Sequence, residues 1–98
     1  MKPIKTSCPI TKTAQLLSDT WTMLVVRALL EAGEPMRFCE LERELPGIST
    51  RTLTLKLKKL EEEKILRRLS EGTYKATKKG EGLKIVERAM SRYGEKFL

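Results

Sequence analysis

Apolar residues recur with a helical period along most of this chain, and the points where the period stops predict its elements. Residues 1 to 8 read as a loose arm ending in Cys8-Pro9, and Ile10, Ala14 and Leu17 then share one face of a short helix over about 10–18. Trp21, Leu24, Val25, Ala28 and Leu29 recur at i, i+3, i+4, i+7 and i+8 in a second helix. Thr20 is its candidate N-cap, and Gly33 with Pro35 ends it. Met36 to Phe38 reads as a short extended piece; Phe38, Leu41 and Leu45 mark a third helix, closed by Pro46-Gly47. Ser49 is a good N-cap for a fourth helix, about 49–63, with Leu53, Leu57 and Leu60 on one side. Two short strands follow, Ile65 to Leu69 and Thr73 to Thr77, around a tight Glu71-Gly72 turn. A last helix is predicted over Lys79 to Phe97, with Leu83, Val86, Met90, Tyr93 and Phe97 in one stripe.

The order is thus helix, helix, short strand, helix, helix, hairpin, helix. The class is mainly α with a small β hairpin, and a helix pair followed by a two-stranded wing predicts a winged helix-turn-helix. With 98 residues the chain suits one domain, 1–98, too small to hold an enzyme cleft between lobes. So short a chain removes only roughly 60% of its unfolded surface on folding. The stripe on the last helix is more than such a monomer covers easily. A two-fold homodimer is therefore expected, with Ile10 and Leu17 of the first helix and Leu83, Val86, Met90, Tyr93 and Phe97 of the last (79–98) at the interface. The longest apolar runs, such as "MLVV", are too short for a membrane span, and no secretory signal is read. With two cysteines and no signal, a reducing, cytoplasmic compartment is expected.

Charge changes the picture. The net charge is +7, yet residues 1 to 48 balance, with six Lys/Arg against six Asp/Glu, and residues 49 to 98 carry fourteen against seven. Within 49–60 stand Arg51, Lys56, Lys58 and Lys59 and no acid. This stripe is either a solvated helix face or the footprint of a polyanion. Placed about 100° apart, the residues of the fourth helix put its leucines on a core face, with Arg51, Lys58 and Leu55 opposite and Thr52, Thr54 and Lys59 flanking. Hydroxyls from Ser49 and Thr50 and the Arg51 guanidinium come first, where a recognition helix meets base edges. Lys58 and Lys59 come later, where it rises past phosphates. Leu55 is then either an ordinary exposed leucine or a groove residue that touches a thymine methyl or a base step.

Three stretches now make the sequence recognisable: "CPI", "LLSDTWTMLVVRALLEAGEPMRFCELERELPGISTRTLTLKLKKLEEEKIL" and "YKATKKGEGL". Together, over roughly residues 8 to 83, they resemble the HxlR-type family of winged helix transcriptional regulators. The resemblance implies a homodimer, built from the first and last helices, that binds double-stranded DNA at an operator. Carried over by position, it implies recognition-helix contacts at Ser49, Arg51, Thr54, Leu55 and Lys56, with Arg67, Arg68 and Lys75 bordering the wing. The chain departs from the family pattern at Leu55, where glutamine is usual, and at Lys64, where a glycine commonly ends the recognition helix. Cys39 stands where asparagine is common, and the wing turn "LSEGTY" is shortened.

No histidine is present, two isolated cysteines make no zinc site, and no glycine-rich phosphate loop appears, so neither an enzyme nor a metal or cofactor is expected. Cys8, at a helix start with Lys5 and Lys12 near in sequence, is either inert or a reactive thiolate. The resemblance implies the second, since some relatives use a cysteine here as a redox or electrophile sensor. Cys39 reads as a small packing residue. Two other classes share the basic features: a winged helix that binds protein or RNA without operator specificity, and a surface binder of anionic membrane through Lys84, Arg88, Arg92 and Lys96. The expected partners are DNA and a second copy, with no membrane, at the nucleoid.

Overall fold

The computed structural model describes residues 7–98; the predicted arm and Lys5 lie almost wholly outside them. The chain runs α1 (Pro9–Leu16), α2 (Thr20–Ala32), α3 (Phe38–Glu44), α4 (Thr50–Glu62), β1 (Leu66–Arg68), β2 (Tyr74–Ala76), α5 (Lys78–Glu81) and α6 (Lys84–Phe97). This is the winged helix-turn-helix order expected from the pattern, mostly helical with one hairpin. β1 and β2 pair antiparallel in the register Leu66↔Ala76, Arg67↔Lys75, Arg68↔Tyr74. Met36 adds a bridge on the other edge: its amide donates to Tyr74 O at 2.9 Å and its carbonyl accepts from Tyr74 N at 2.7 Å. The extended piece at Met36 thereby ties the start of α3 to the wing. The turn closes with Gly72 at φ 83°, a conformation that glycine adopts without strain.

One core joins all these elements. Val25, Val26 and Leu29 of α2, Leu41 of α3, Leu53, Leu57 and Leu60 of α4, Ile65 and Leu66 at the wing and Leu83 form it. The three leucines of α4 are at most 2% exposed. Each such burial stabilises by roughly 2 kcal/mol, an upper figure because the unfolded chain already hides some surface.

Four local expectations are corrected. The cap of α2 is Asp19, not Thr20, and its carboxylate accepts from Thr22 N at 2.8 Å. The buried face of α2 is Thr22, Met23, Val25, Val26 and Leu29, while Trp21, Leu24 and Ala28 are half-buried. Thr22 can be hidden because its hydroxyl donates to the other Asp19 oxygen at 2.8 Å. The single last helix is two helices, α5 and α6, broken at Gly82-Leu83, where the Leu83 amide donates back to Gly80 O, only three residues earlier. Two glycines in one turn make helix continuation costly here. The break sends Leu83 into the core, 7% exposed, so it has little surface left for a dimer partner.

At the end of α4 stands Lys64, at φ 63°, the left-handed conformation that closes a helix and that glycine adopts most readily. Its backbone performs the capping role for which the family commonly uses glycine, at a cost of roughly 1 kcal/mol.

Candidate nucleic-acid interface

α4 is held at its start, middle and end, and this fixes which of its side chains face outward. At the start, Ser49 Oγ accepts from Thr52 N at 3.0 Å, and Thr50 Oγ1 donates to Glu42 Oε2 of α3 at 2.9 Å. In the middle, Lys56 Nζ donates to Asp19 Oδ2 at 2.9 Å, a half-buried ion pair that locks α4 to the cap of α2. At the end, the carbonyls that a helix leaves unsatisfied are taken up from the wing and α5. Lys79 Nζ donates to Glu63 O at 2.9 Å, and the Thr77 hydroxyl lies 2.6 Å from Lys64 O and 3.0 Å from Ile65 O. Thr77 also caps α5 by accepting from Gly80 N at 3.1 Å.

Asp19 therefore serves two helices. Its partial burial opposes ionisation. The Lys56 hydrogen bond, the two bonds from Thr22 and the Lys56 charge outweigh that and hold its carboxyl at about 2. A carboxyl lowered in the folded state stabilises the fold above its ordinary pKa, and that contribution is lost as pH falls toward 2. The lock is thus intact at neutral pH.

With the leucines inward and Lys56 turned to α2, the outward face of α4 consists of Arg51, Thr54, Leu55 and Lys58, all exposed, with Lys59 half-exposed at its edge. Neither Arg51, Lys58 nor Lys59 has an ion pair among the described residues, whereas Lys56 does. Of the sequence-predicted α4 set, Lys56 is the one whose charge is already committed inside the fold. On the hairpin, Arg67 and Lys75 face each other directly across the strands and are both exposed. Like charges so placed repel unless an anion lies against them. Arg68 stacks instead on Tyr74, its guanidinium carbon 5.9 Å from the ring centroid.

Cys8 is far from α4 in sequence and sits at the N-cap of α1, fully exposed, with Pro9 opening the helix. The Thr11 amide, then the Thr11 hydroxyl and the Ile10 amide, lower its thiol pKa from the ordinary value. Cys39 is exposed on α3, not packed as its amphipathic setting suggested. On the opposite end of the apolar pattern, Pro9, Ile10, Thr13, Ala14 and Leu17 of the α1 region and Val86 and Met90 of α6 line an open apolar hollow of about 490 Å³. Tyr93 and Phe97 stack on each other farther along α6, centroids 5.1 Å apart. Sequence reasoning missed Ile85, 76% exposed beside this stripe, and the Asp19, Glu42, Thr77 and Lys79 partners of α4. Asp19 alone had a local signal, an acid just before a helical run.

The model of the HxlR-like helix-turn-helix matches residues 16–98, from the end of α1 through the last helix. The chain belongs to this family. Like its relatives, this HxlR-like protein is a transcriptional regulator of the helix-turn-helix type. It is 35% identical over 97 residues to the regulator sll1512 of Synechocystis sp., covering 93% of this chain and 70% of that one. It is 33% identical over 99 residues to the regulator YodB of Bacillus subtilis, covering 94% and 87%. Quinone-bound YodB superimposes with a TM-score of 0.81 at 32% identity, over 92% of this chain and 99% of that one. The redox regulator HypR in its oxidised form gives 0.78 at 27% identity, over 93% and 98%. Among the described residues, no helix is long and apolar enough to cross a membrane.

Proposed function

We propose that this HxlR-like regulator binds double-stranded DNA sequence-specifically as a homodimer, with α4 in the major groove of each half-site. The observation that carries the reading is the division within α4. Three basic side chains, Arg51, Lys58 and Lys59, stay without an ion pair on the outward side, while every other polar anchor of the helix is used to hold it in place. A helix gains nothing in a monomer from being clamped by three neighbours with an unneutralised face outward; it gains if that face must meet a rigid polyanion in one register. Arg51, in the first turn, is in position to fork onto guanine O6 and N7, and Lys58 and Lys59 to meet phosphates. Arg67 and Lys75 on the wing supply a further anion contact. The whole 1–98 chain serves as one DNA-binding domain, with α1 and α6 as its dimer contacts, and it acts at the nucleoid in the cytoplasm.

A salt titration separates this from a general basic face. Arg51→Ala is expected to cost roughly 1–3 kcal/mol on a preferred duplex and to relax preference at one or two base positions. Lys59→Ala is expected to weaken preferred and scrambled duplexes alike and to lower the salt slope by about one counterion per half-site. Identical behaviour of the two variants on both duplexes, or equal affinity for competitor RNA, would favour the protein- or RNA-binding class instead. Binding of anionic vesicles through Lys84, Arg88, Arg92 and Lys96 has less support, since those residues belong to an α6 whose other face is apolar stripe and whose basic edge suits flanking DNA equally well.

A second reading concerns Cys8: an exposed thiol at a helix start, its pKa lowered by first-turn amides, has more thiolate at neutral pH than an ordinary cysteine. A structure of the relative YodB holds a quinone, and HypR is named a redox regulator. Cys8 is proposed to react with oxidants or electrophiles and to change DNA affinity through α1. Quinone or peroxide treatment should shift the operator affinity of the wild type and of Cys39→Ser but not of Cys8→Ser. An unchanged wild type makes Cys8 an inert helix cap.

A further inference from the structure

The front of α4 holds fewer hydrogen-bond donors than its hydroxyl-rich sequence suggests. Thr50 Oγ1 donates to Glu42 Oε2 at 2.9 Å, Thr54 Oγ1 to the Thr50 carbonyl at 2.8 Å, and Ser49 Oγ to Thr52 Oγ1 at 2.9 Å. A hydroxyl carries a single hydrogen, so all three donors are spent inside the protein. What Thr54 keeps for a ligand is its methyl group and an acceptor lone pair. Lys56, next in sequence to Leu55, is drawn to Asp19. Leu55 therefore stands between Arg51 and Lys58, about one turn from each, 55% exposed, with only the Thr54 methyl beside it. The centre of an otherwise cationic face is apolar.

Resting on the DNA-binding reading above, we infer that Leu55 is a specificity-determining residue that selects thymine by its C5 methyl. The thymine methyl is the one apolar feature that base edges show in the major groove. Every other edge shows N7, O6, N4 amino or N6 amino groups, which lose water against a leucine and gain no partner. Leu55 thus acts in two directions, attracting the methyl and rejecting G·C at the same position. The glutamine that the resemblance leads one to expect there would hydrogen-bond adenine instead. Arg51 lies one turn toward the helix start, so each half-site is expected to carry a guanine near this thymine.

Replacing thymine by deoxyuridine removes the methyl and leaves every hydrogen-bonding atom in place, so the test requires no change to the protein. A preferred duplex is first selected from a random pool with the full chain, and each thymine in a half-site is then replaced singly. At the contacted position the wild type should lose about fourfold in affinity, the value of one buried methyl. Leu55→Ala should bind thymine and deoxyuridine duplexes equally, and Leu55→Gln, selected against the same pool, should prefer adenine there. Specific binding by the wild type with no deoxyuridine position weaker than thymine overturns the role of Leu55 and leaves the DNA-binding reading intact. Failure of the wild type to select any duplex overturns both.

Discussion

Met90→Glu is expected to turn a dimer into a monomer and to lower operator affinity by about 10²–10⁴-fold, the effective-concentration advantage of two linked half-site contacts. Met90 is 52% exposed on α6 and is a wall of the apolar hollow that Ile10, Ala14 and Leu17 complete from α1. Ile10 at 80%, Tyr93 at 60% and Phe97 at 63% exposed extend the same apolar surface. A chain of 98 residues has little reason to leave so many large apolar side chains in water unless a second copy covers them. A carboxylate at the centre of that contact loses its hydration in the dimer, twice over by symmetry, at a cost of several kcal/mol. Met90 is outside the monomer core, so the variant should keep its helix content. Light scattering at micromolar concentration reads the result directly. A wild-type monomer, or a Met90→Glu dimer, would remove the basis for a two-fold operator.

The largest loss of stability is expected from the smallest substitution, Gly80→Ala. Gly80 is buried in α5 against the exit of α4. A Cβ there would fall deep inside the Ile65 carbonyl oxygen, and 3.2 and 3.3 Å from the Ile65 carbonyl carbon and Cγ2. The obstacle is backbone, and that backbone is already engaged: Ile65 O accepts from the Thr77 amide at 3.0 Å and lies 3.0 Å from the Thr77 hydroxyl. Making room separates α5 from the wing and disturbs the cap that Thr77 gives to α5. A cost of about 3 kcal/mol or more follows from overpacking against an unyielding neighbour. For a domain of this size that lowers the Tm by about 15 °C. Gly94→Ala, in open space on α6, is the control and should stabilise by roughly 0.5–1 kcal/mol through helix propensity. If both variants melt like the wild type, Gly80 is not the close contact that joins α5 to α4. Because Lys79 and Thr77 also hold the last carbonyls of α4, Gly80→Ala should weaken DNA binding even below its melting range.

The sequence by itself determined the parts of this protein that depend on near neighbours. The 53, 57, 60 spacing fixed the inner face of α4, and hence that Arg51, Leu55 and Lys58 point outward, because helical phase is a local property. Ser49 as a cap and Gly72 in the hairpin turn were legible for the same reason, since both act within four residues. The family was legible because its motifs run almost the length of the chain. Only the tertiary structure decided what each outward polar atom has left to offer. Lys56 is committed to Asp19, thirty-seven residues earlier, and Thr50 to Glu42, eight residues earlier. The Thr54 hydroxyl is committed one turn back along its own helix, a choice between rotamers that the sequence leaves open. Leu83 continued the apolar stripe of the last helix on paper, yet the Gly82-Leu83 break places it in the core and leaves Met90, Tyr93 and Phe97 outside. A repeating pattern records which residues avoid water; it does not record whether the cover comes from the same chain or from another copy. That distinction rests on long-range packing, where a turn's change in helix direction decides which surface is already filled.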